Sequence, residues 1–585
     1  MLAEKRWILS PQGDIEKTQT LARELNIPAV LSNLLVQRGV DTVEEARRFF
    51  NPQLSELHNP LEMKDMEQAI LRIRKAVERN GKIMVYGDYD VDGTTAVALV
   101  YTFLSSIGHN NLLFYIPDRY TEGYGISYKG IDYAEENGVE LIIALDCGIK
   151  AVSKVEYASK KNIDFIICDH HLPDETIPQA VAVLDSKRTD CNYPFKELSG
   201  CGVGFKLVQG YCQYYNIPFS KIENLLDYVA VSIASDIVPV IGENRILAHY
   251  GLKRLNENPS KGLRSIIKIC GLEKHRITID DIVFKIGPRI NAAGRMEMET
   301  DDGSVSAAGG NNAVRLLISN TEEKAVKYGN IIDSCNTGRK EIDRTITLEA
   351  QRIVEQNDLL KKSKCTVIYN PTWIKGIVGI VASRLIERYY RPTVVLTMSN
   401  GLITGSARSV PGFDLYQAIE SCSDLLENFG GHTYAAGLTM KPDKLDEFKK
   451  RFEQYVDTHI QPDMLIPQIN IDSNLALEEI TPQFREVLCR FQPFGPGNPA
   501  PVFRTDNVCD YGHGRRVGNN LEHLKMDIIN KNNSSPISAI AFSQAYHADH
   551  VLKDGLFDIC YIVVENNYRG EVKPQLRIKD IKPRK

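Results

Sequence analysis

Three aspartates stand at alternate positions in "VYGDYDVDGTTA" (residues 85–96): Asp88, Asp90 and Asp92. The run before them, "KIMVYG", is apolar and reads as a strand. Carboxylates crowded this closely repel one another unless something positive sits among them. They make either a solvated acidic turn or a site for a divalent cation. In an extended segment the three side chains face one way; in the loop that follows they converge on one ion. A tandem histidine favours the cation. His170 and His171 follow Asp169 at the end of another apolar run, "DFIICDHH", where a pair of buried imidazoles is hard to satisfy with hydrogen bonds. Carboxylates with one or two imidazoles suit manganese or magnesium, and imidazole shifts the preference toward manganese. Several carboxylates can hold two such ions, the arrangement that clamps the attacking and leaving oxygens of a phosphate displacement.

The elements that must position these residues are legible around them. The apolar runs "KIMVYG", "LLFYIP", "ELIIALD", "DFIICD" and "AVAVLD" alternate with helix-like segments such as "TTAVALVYTFLSSIG" and "KAVSKVEYASKKN". Near-continuous apolar strands with helical crossovers predict a parallel sheet covered on both faces. Sites in such sheets form at the carboxyl ends of strands. There lie Asp88, Asp90 and Asp92 after the first strand, Asp146 after "ELIIAL", and Asp169, His170 and His171 after "DFIIC". Residues 1–75 read as a mostly helical segment, with Thr42 capping "TVEEARRFF". Residues 76–311 form the αβ block that carries the site. The polar, helix-prone stretch 312–358 predicts long helices joining two domains. Residues 359–460 make a second, smaller αβ block, and 461–585, with short strands and Asn/Gly turns, predict a small barrel or sandwich.

At 585 residues the chain is too long for one hydrophobic core. A balance of 70 Lys+Arg against 75 Asp+Glu, net -5, neither suggests nor excludes nucleic acid, because a basic groove can hide in a near-neutral total. Twelve cysteines without a CxxC pair argue against a zinc ribbon or a disulfide framework and for a reducing compartment. "MLAEKRWILSPQGD" lacks the apolar core of a signal peptide, and no apolar run is long enough to span a bilayer. The expected class is a multidomain cytoplasmic protein with no membrane association.

"DYDVDG", "LDCGI", "CDHHLP" and "ASDIVP", in this order, resemble the four motifs of the DHH phosphoesterase superfamily. "YPFKELSGCGVGFKL", "PRINAAGRM", "GIVGIVASRL", "GSARSVPGFDL", "GGHTYAAG" and "PFGPGNPAPVF" narrow the resemblance to the RecJ family, 5'→3' exonucleases specific for single-stranded DNA. Any one motif is weak; ten in order are specific. The likeness runs from about residue 30 to the last residues. It implies an α/β fold in which a parallel-sheet DHH domain is joined by long helices to a smaller αβ DHHA1 domain, followed by a C-terminal β-barrel of the OB fold. It implies two divalent cations, Mn2+ or Mg2+, held by Asp88, Asp90, Asp92, Asp146, His170 and Asp236, with Asp146 between the ions. Asp236 rests on the resemblance; alone in "SIASDIVPV" it reads as a helix-end aspartate. The implied catalytic set is Asp146, His170, His171 and Asp169, with His171 facing the scissile phosphate and Asp169 orienting an imidazole.

The same resemblance implies that Arg119, Tyr124, Arg295, Ser406, Arg408, Gly431 and His432 line the substrate channel and hold a terminal 5' phosphate, for which arginine's fork is well shaped. Taken singly, such arginines are surface residues, and "GGHTYAAG" is a glycine turn in front of a helix. In the C-terminal segment, Arg515 and Arg516 with nearby aromatics suit a barrel that binds single strands by charge and stacking; a plain structural barrel is the alternative. Two departures stand out. "TDDGSVSAAGGNN" reads as an inserted flexible loop beside Arg295, and Asp185 stands where the resemblance leads one to expect asparagine. The implied activity is metal-dependent 5'→3' hydrolysis of single-stranded DNA to 5'-mononucleotides in repair and recombination, by a monomer assisted by a helicase and a single-stranded-DNA-binding protein. One rival is a DHH oligonucleotide or cyclic-dinucleotide phosphodiesterase, which does not need the barrel. Another is a non-catalytic replication scaffold, which would lose metal carboxylates that are all present here.

Overall fold

Ile83–Gly87 is buried at every position. It pairs in parallel with Leu112–Tyr115 on one edge and Leu141–Leu145 on the other. A strand enclosed by neighbours and by helices on both faces has no solvent side, so its sequence does not alternate. In the computed structural model this sheet has five parallel strands, ordered Leu112–Tyr115, Ile83–Gly87, Leu141–Leu145, Asp164–Cys168 and Ala182–Leu184. Helices Val91–Ser106, Gly200–Tyr214 and Leu226–Ser235 are buried over most of their length. The structure describes residues 5–295, 298–299, 305–306, 309–530, 533–553, 555–568 and 571–584.

The chain divides into two compact units. One comprises Pro52–Glu341 with Pro493–Pro499; the other comprises Met1–Asn51, Ile342–Gln492 and Ala500–Lys585. The stretch expected to hold connecting helices is dominated by a single 35-residue helix, Glu322–Gln356. Of the expected inserted loop, 300–312, residues 300–304 and 307–308 lie outside the described residues; within it Val305–Ser306 pairs antiparallel with Met298–Glu299, and its last four residues are not loop but open helix Gly309–Leu317.

In the second unit a mixed five-stranded sheet runs Asn428–His432, Ala435–Met440, Leu402–Arg408, Thr393–Ser399, Thr366–Tyr369. A barrel closes through five further strands: Phe503–Asp510 pairs with Phe557–Tyr568, that with Glu571–Pro583, that in parallel with Asn533–Ala541, that with His523–Asn530, and that again with Phe503–Asp510. Closure leaves no free edge among these five.

The first 75 residues are not all helix. Thr42 does cap Val43–Phe50, in a capping box with Glu45. However, Arg6–Leu9 is a strand, paired in parallel with Gln468–Ile471. Trp7 holds it to the barrel: its Nε1 donates to Asp580 at 2.8 Å, and Lys582 and Arg504 lie 4.8 and 5.8 Å from its ring. Four residues with a partner more than four hundred positions away carry no local periodicity, which is why helix propensity nearby misleads. Among the described residues no helix is long and apolar enough to cross a membrane.

Candidate active site

The sheet order reverses between Ile83–Gly87 and Leu141–Leu145, because the chain first adds a strand on one side and then continues on the other. At such a switch point the loops diverge and leave a crevice at the carboxyl ends of the strands. The aspartates of the first strand and Asp146 of its neighbour open into it. They are not presented on one extended segment. Asp88 leaves the strand, Asp90 caps helix Val91–Ser106 with its Oδ1 accepting from Gly93 N at 2.9 Å, and Asp92 lies in that helix's first turn. The turn is tight enough to require Gly93, where an added Cβ would lie 2.5 Å from the Asp88 carbonyl oxygen.

Asp92 is fixed from a second helix. Gly200 N and Cys201 N, at the start of Gly200–Tyr214, each donate to its carboxylate at 2.7 Å, and Ser232 Oγ lies 2.7 Å from the same group. A helix N-terminus is a ready anion seat. Asp146 has the left-handed φ of 59°, a conformation that costs energy and persists where the surroundings enforce it. Gly200 makes room for it: a Cβ there would meet Asp146 Cβ at 2.6 Å. Asp236 ends helix Leu226–Ser235. His170 joins the three, its Nε2 lying 3.1 Å from Asp146, 3.7 Å from Asp236 and 3.8 Å from Asp92.

The charges conflict. Burial, and after it the neighbouring Asp90, pushes Asp88 well above the usual carboxylate range. Burial with Asp92 and Asp90 does the same to Asp146, and Asp236 is pushed up to about 8 by burial and the same neighbours. Burial lowers His170. Several ligand atoms have no hydrogen-bond partner although buried: Asp88 Oδ2, Asp146 Oδ2 and both ring nitrogens of His170. Asp146, His170 and His171, and separately Asp92, His170 and Asp236, each offer ligand atoms within 4.8 Å of one another. Buried carboxylates that repel, with unsatisfied oxygens and imidazole nitrogens converging, fit divalent cations of the Mn2+ or Mg2+ kind.

His171 has fixed partners of its own. Its Nδ1 lies 2.7 Å from Asp169 Oδ1 and its Nε2 lies 3.2 Å from the Tyr124 hydroxyl. Burial acts against both charges, yet their mutual hydrogen bond prevails: Asp169, which also accepts from Ile149 N, is held down to about 2, and His171 is raised to about 9. Asp185 is also buried here and burial pushes it up to about 7; its Oδ1 accepts from Lys187 N.

The structure brings Arg119 and Tyr124 to the carboxylates. The Arg119 guanidinium stacks 4.3 Å from the Tyr89 ring and its charge acts on Asp88 and Asp90. The Tyr124 hydroxyl donates to the Asp146 carbonyl at 3.2 Å. Arg295 lies in the same unit, its carbonyl accepting from Tyr120 Oη at 2.8 Å. Tyr89 was not singled out from the sequence, although its place between Asp88 and Asp90 was signal enough.

Ser406, Arg408, Gly431 and His432 belong to the other unit. Arg408 Nη1 donates to Ser406 Oγ at 2.8 Å, and burial lowers the guanidinium. In the sheet register Arg408, Ala435 and His432 form one row, and Ser406, Gly437 and Gly430 the next on the same face. Gly430 faces open space and Gly437 has almost none of its space filled, whereas helix Lys375–Tyr389 closes on the other end of the rows, where a Cβ on Gly379 would lie 3.0 Å from Ser406 Oγ and 3.2 Å from Arg408 Nη2. "GGH" is an edge strand, not a turn before a helix. At Gly431, φ is 151° and a Cβ would meet the Ala435 carbonyl oxygen at 2.3 Å, so only glycine fits. On the barrel, Arg515 and Arg516 are exposed, as are Tyr511, Phe542 and Tyr546.

Comparison with known proteins agrees with this architecture. The family model "DHH family, N-terminal domain" matches residues 82–233, "DHHA1 domain" matches 362–458, and "RecJ OB domain" matches 471–580. The chain is 35% identical to the single-stranded-DNA-specific exonuclease RecJ of Bacillus subtilis, over 99% of this chain and 71% of that one. It is 31% identical to the Escherichia coli protein of the same name, over 99% of this chain and 100% of that one. Among solved structures, RecJ of Thermus thermophilus in complex with Mn2+ superposes with a TM-score of 0.82 at 24% identity, covering 99% of this chain and 80% of that one. An exonuclease RecJ bound to manganese gives 0.58 at 28% identity, covering 70% and 98%. With near-complete coverage at this identity, and with the three domains in order, the chain belongs to the RecJ family.

Proposed function

We propose that this protein is a metal-dependent exonuclease that hydrolyses single-stranded DNA from the 5' end to 5'-mononucleotides. The observation that carries this is the buried carboxylate–imidazole cluster at the switch point, with unsatisfied ligand atoms on Asp88, Asp146 and His170, in a chain related over its length to proteins named for that activity. Asp88, Asp90, Asp92, Asp146, His170 and Asp236 would hold two divalent cations. Bound there, such ions supply Lewis-acid stabilisation of the oxygens of an in-line phosphate displacement.

The chain's own residues set the geometry. The helix N-terminus at Gly200 and Cys201 holds the Asp92 carboxylate in place. Asp169 and Tyr124 fix the His171 ring beside the cluster, where it stabilises charge on the phosphate. Arg119 adds positive charge on the Asp88 side. Direction comes from elsewhere, since a metal centre acts on any phosphodiester it reaches. Arg408 and Ser406, with the open backbone at Gly430, suit a terminal phosphate held by charge-assisted bonds; within the catalytic unit we assign Arg295 to a phosphate contact of its own. The barrel's arginines and exposed aromatics suit a single strand held without base readout. We assign the cellular role to repair and recombination, carried out by a single chain in the cytoplasm, with a helicase and a single-stranded-DNA-binding protein supplying the strand.

The test uses end-labelled single-stranded and duplex DNA, with manganese, magnesium or chelator. Release of a 5' label as mononucleotide from the single strand, abolished by chelator and in Asp146→Ala, is expected. Release beginning at a 3' label, or equal attack on the duplex, would overturn the assignment.

A further inference from the structure

The residue after Asp236 is in an unusual state. Ile237 has φ of 60°. It occupies the position just past the C-cap of helix Leu226–Ser235, where a left-handed residue is commonly glycine or asparagine. Most other non-glycine residues with positive φ among the described residues are Asn or Asp; Ile237 is the one that is β-branched, and for such a residue the conformation is a genuine outlier. Burial does not offset the cost. Its side chain is 64% exposed, while Val238 and Val240 on the same segment are buried. Leu521 is also left-handed and exposed, but it is not β-branched and lies in the turn between two barrel strands.

The segment is held in this shape from behind. Residues Pro493–Pro499, the "PFGPGNP" stretch, pack onto it: Val240 N donates to the Pro496 carbonyl at 2.7 Å and Arg245 Nη1 to the Pro493 carbonyl at 3.4 Å. A Cβ on Gly495 would lie 2.5 Å from Val240 Cγ2, and one on Gly497 3.0 Å from Ile241 Cγ2. A strained, exposed aliphatic side chain, braced by its surroundings and one residue from a carboxylate 3.7 Å from His170, has its compensation outside the free protein.

We propose that Ile237 is a substrate-positioning residue, packing against the nucleobase of the nucleotide whose phosphodiester lies at the Asp236 side of the cluster. Consecutive Cα atoms are about 3.8 Å apart, so Ile237 and Asp236 border the same short stretch of a strand whose phosphate lies at the cluster. Apolar contact with a base face is available from all four bases and so holds the strand without selecting sequence. The proposal rests on the nuclease function assigned above.

The test compares wild type, Ile237→Asn and Ile237→Gly. Both replacements tolerate the left-handed conformation, so both variants are expected to melt no lower than wild type. Binding of a fluorescent 5'-phosphorylated oligonucleotide with non-hydrolysable phosphorothioate linkages is followed by anisotropy with manganese present, and hydrolysis of the ordinary strand by KM and kcat with manganese. Each strand is made with all bases present and with an abasic site in the first or the second nucleotide. Each variant is expected to bind the complete strand about five-fold more weakly, the loss expected from partial burial of one aliphatic side chain. One of the abasic strands should bind wild type and variants alike, and the KM values should follow. Equal ratios of complete to abasic affinity in wild type and variants would overturn the proposal, as would a clear fall in melting temperature, which would make Ile237 a packing residue. Wild type that hydrolyses none of these strands would instead overturn the assigned function.

Discussion

At the scale of single residues the site depends on atoms that are missing as much as on those present. Gly200 has no Cβ because Asp146 occupies that space, and Asp146 holds a left-handed backbone there. Gly200→Ala should therefore displace the Asp146 carboxylate without unfolding the protein, since the donors to Asp92, the backbone of residues 200 and 201 and the Ser232 hydroxyl, are all kept. A shift of the order of 1 Å in a reacting group costs about 100-fold in rate. Single-turnover hydrolysis should fall by about that factor and manganese affinity, measured by calorimetry, should fall with it, while the circular dichroism spectrum stays unchanged. Asp169 illustrates a different dependence: it accepts from the backbone N of His170 at 2.8 Å and lies 2.7 Å from His171 Nδ1, so its value lies in holding that turn and fixing which way the His171 ring points.

At the scale of elements, the helices behind the sheet are tied by polar groups that periodicity would place outside. Lys206 lies within the buried helix Gly200–Tyr214 and is fully enclosed, its Nζ donating to Glu243 Oε1 and to the His58 carbonyl, each at 2.8 Å. Tyr193 Oη and His58 N donate to the same glutamate. Removing one partner leaves a buried charge unpaired, so Glu243→Gln or Lys206→Met should each cost about 3–5 kcal/mol in urea unfolding. The double variant should cost less than the sum, because the second change removes a charge already stranded. Asp227, in the first turn of Leu226–Ser235, accepts from Ser260 N at 2.7 Å, yet burial pushes it up to about 6. Its unfolded value is about 3.9. The folded state thus binds this proton more tightly, so the group's stabilisation is present below about pH 4 and is lost as pH rises through about 6. Stability of wild type relative to Asp227→Asn should decline across that window and be flat above pH 7; a constant difference would show that Asp227 stays ionised in the fold.

At the scale of the whole molecule, chain order and compact units do not coincide. Residues Met1–Asn51 cluster with the chain's later part, and Pro493–Pro499 returns to the catalytic unit. Deleting everything after residue 460 would remove both the partner strand of Arg6–Leu9 and the brace behind Ile237, so truncation does not isolate the barrel's role. Surface substitution does. If Arg515 and Arg516 each contact a phosphate, replacing both with alanine should reduce the slope of log affinity against log salt by about 1.4, at about 0.7 per phosphate on a single strand. Melting temperature should be unchanged, because both are exposed and the ion pair of Arg516 with Asp549, at 3.5 Å, is on the surface. An unaltered slope would make the barrel's contribution structural.

The parallel sheet and the places where polar residues meet it were legible in the sequence. Strand burial on both faces forces continuous apolar runs, and the residues that end those runs, Asp88, Asp146 and Asp169, must sit at one edge. The kind of ligand was legible too, since carboxylate and imidazole types do not depend on the fold. Convergence was not. Strand order, which puts the reversal between Ile83–Gly87 and Leu141–Leu145, is set by tertiary packing, and only that order gathers aspartates from separate loops. Asp236 shows the limit: nothing local distinguishes it from an ordinary helix-end aspartate, and it becomes a candidate ligand because its helix ends 3.7 Å from His170. Likewise the left-handed Ile237, the space that Gly200 leaves for Asp146 and the strand Arg6–Leu9 are each fixed by a neighbour distant in sequence. Periodicity records what a segment's own backbone geometry requires of its side chains; a site assembled from several segments is decided by how those segments pack.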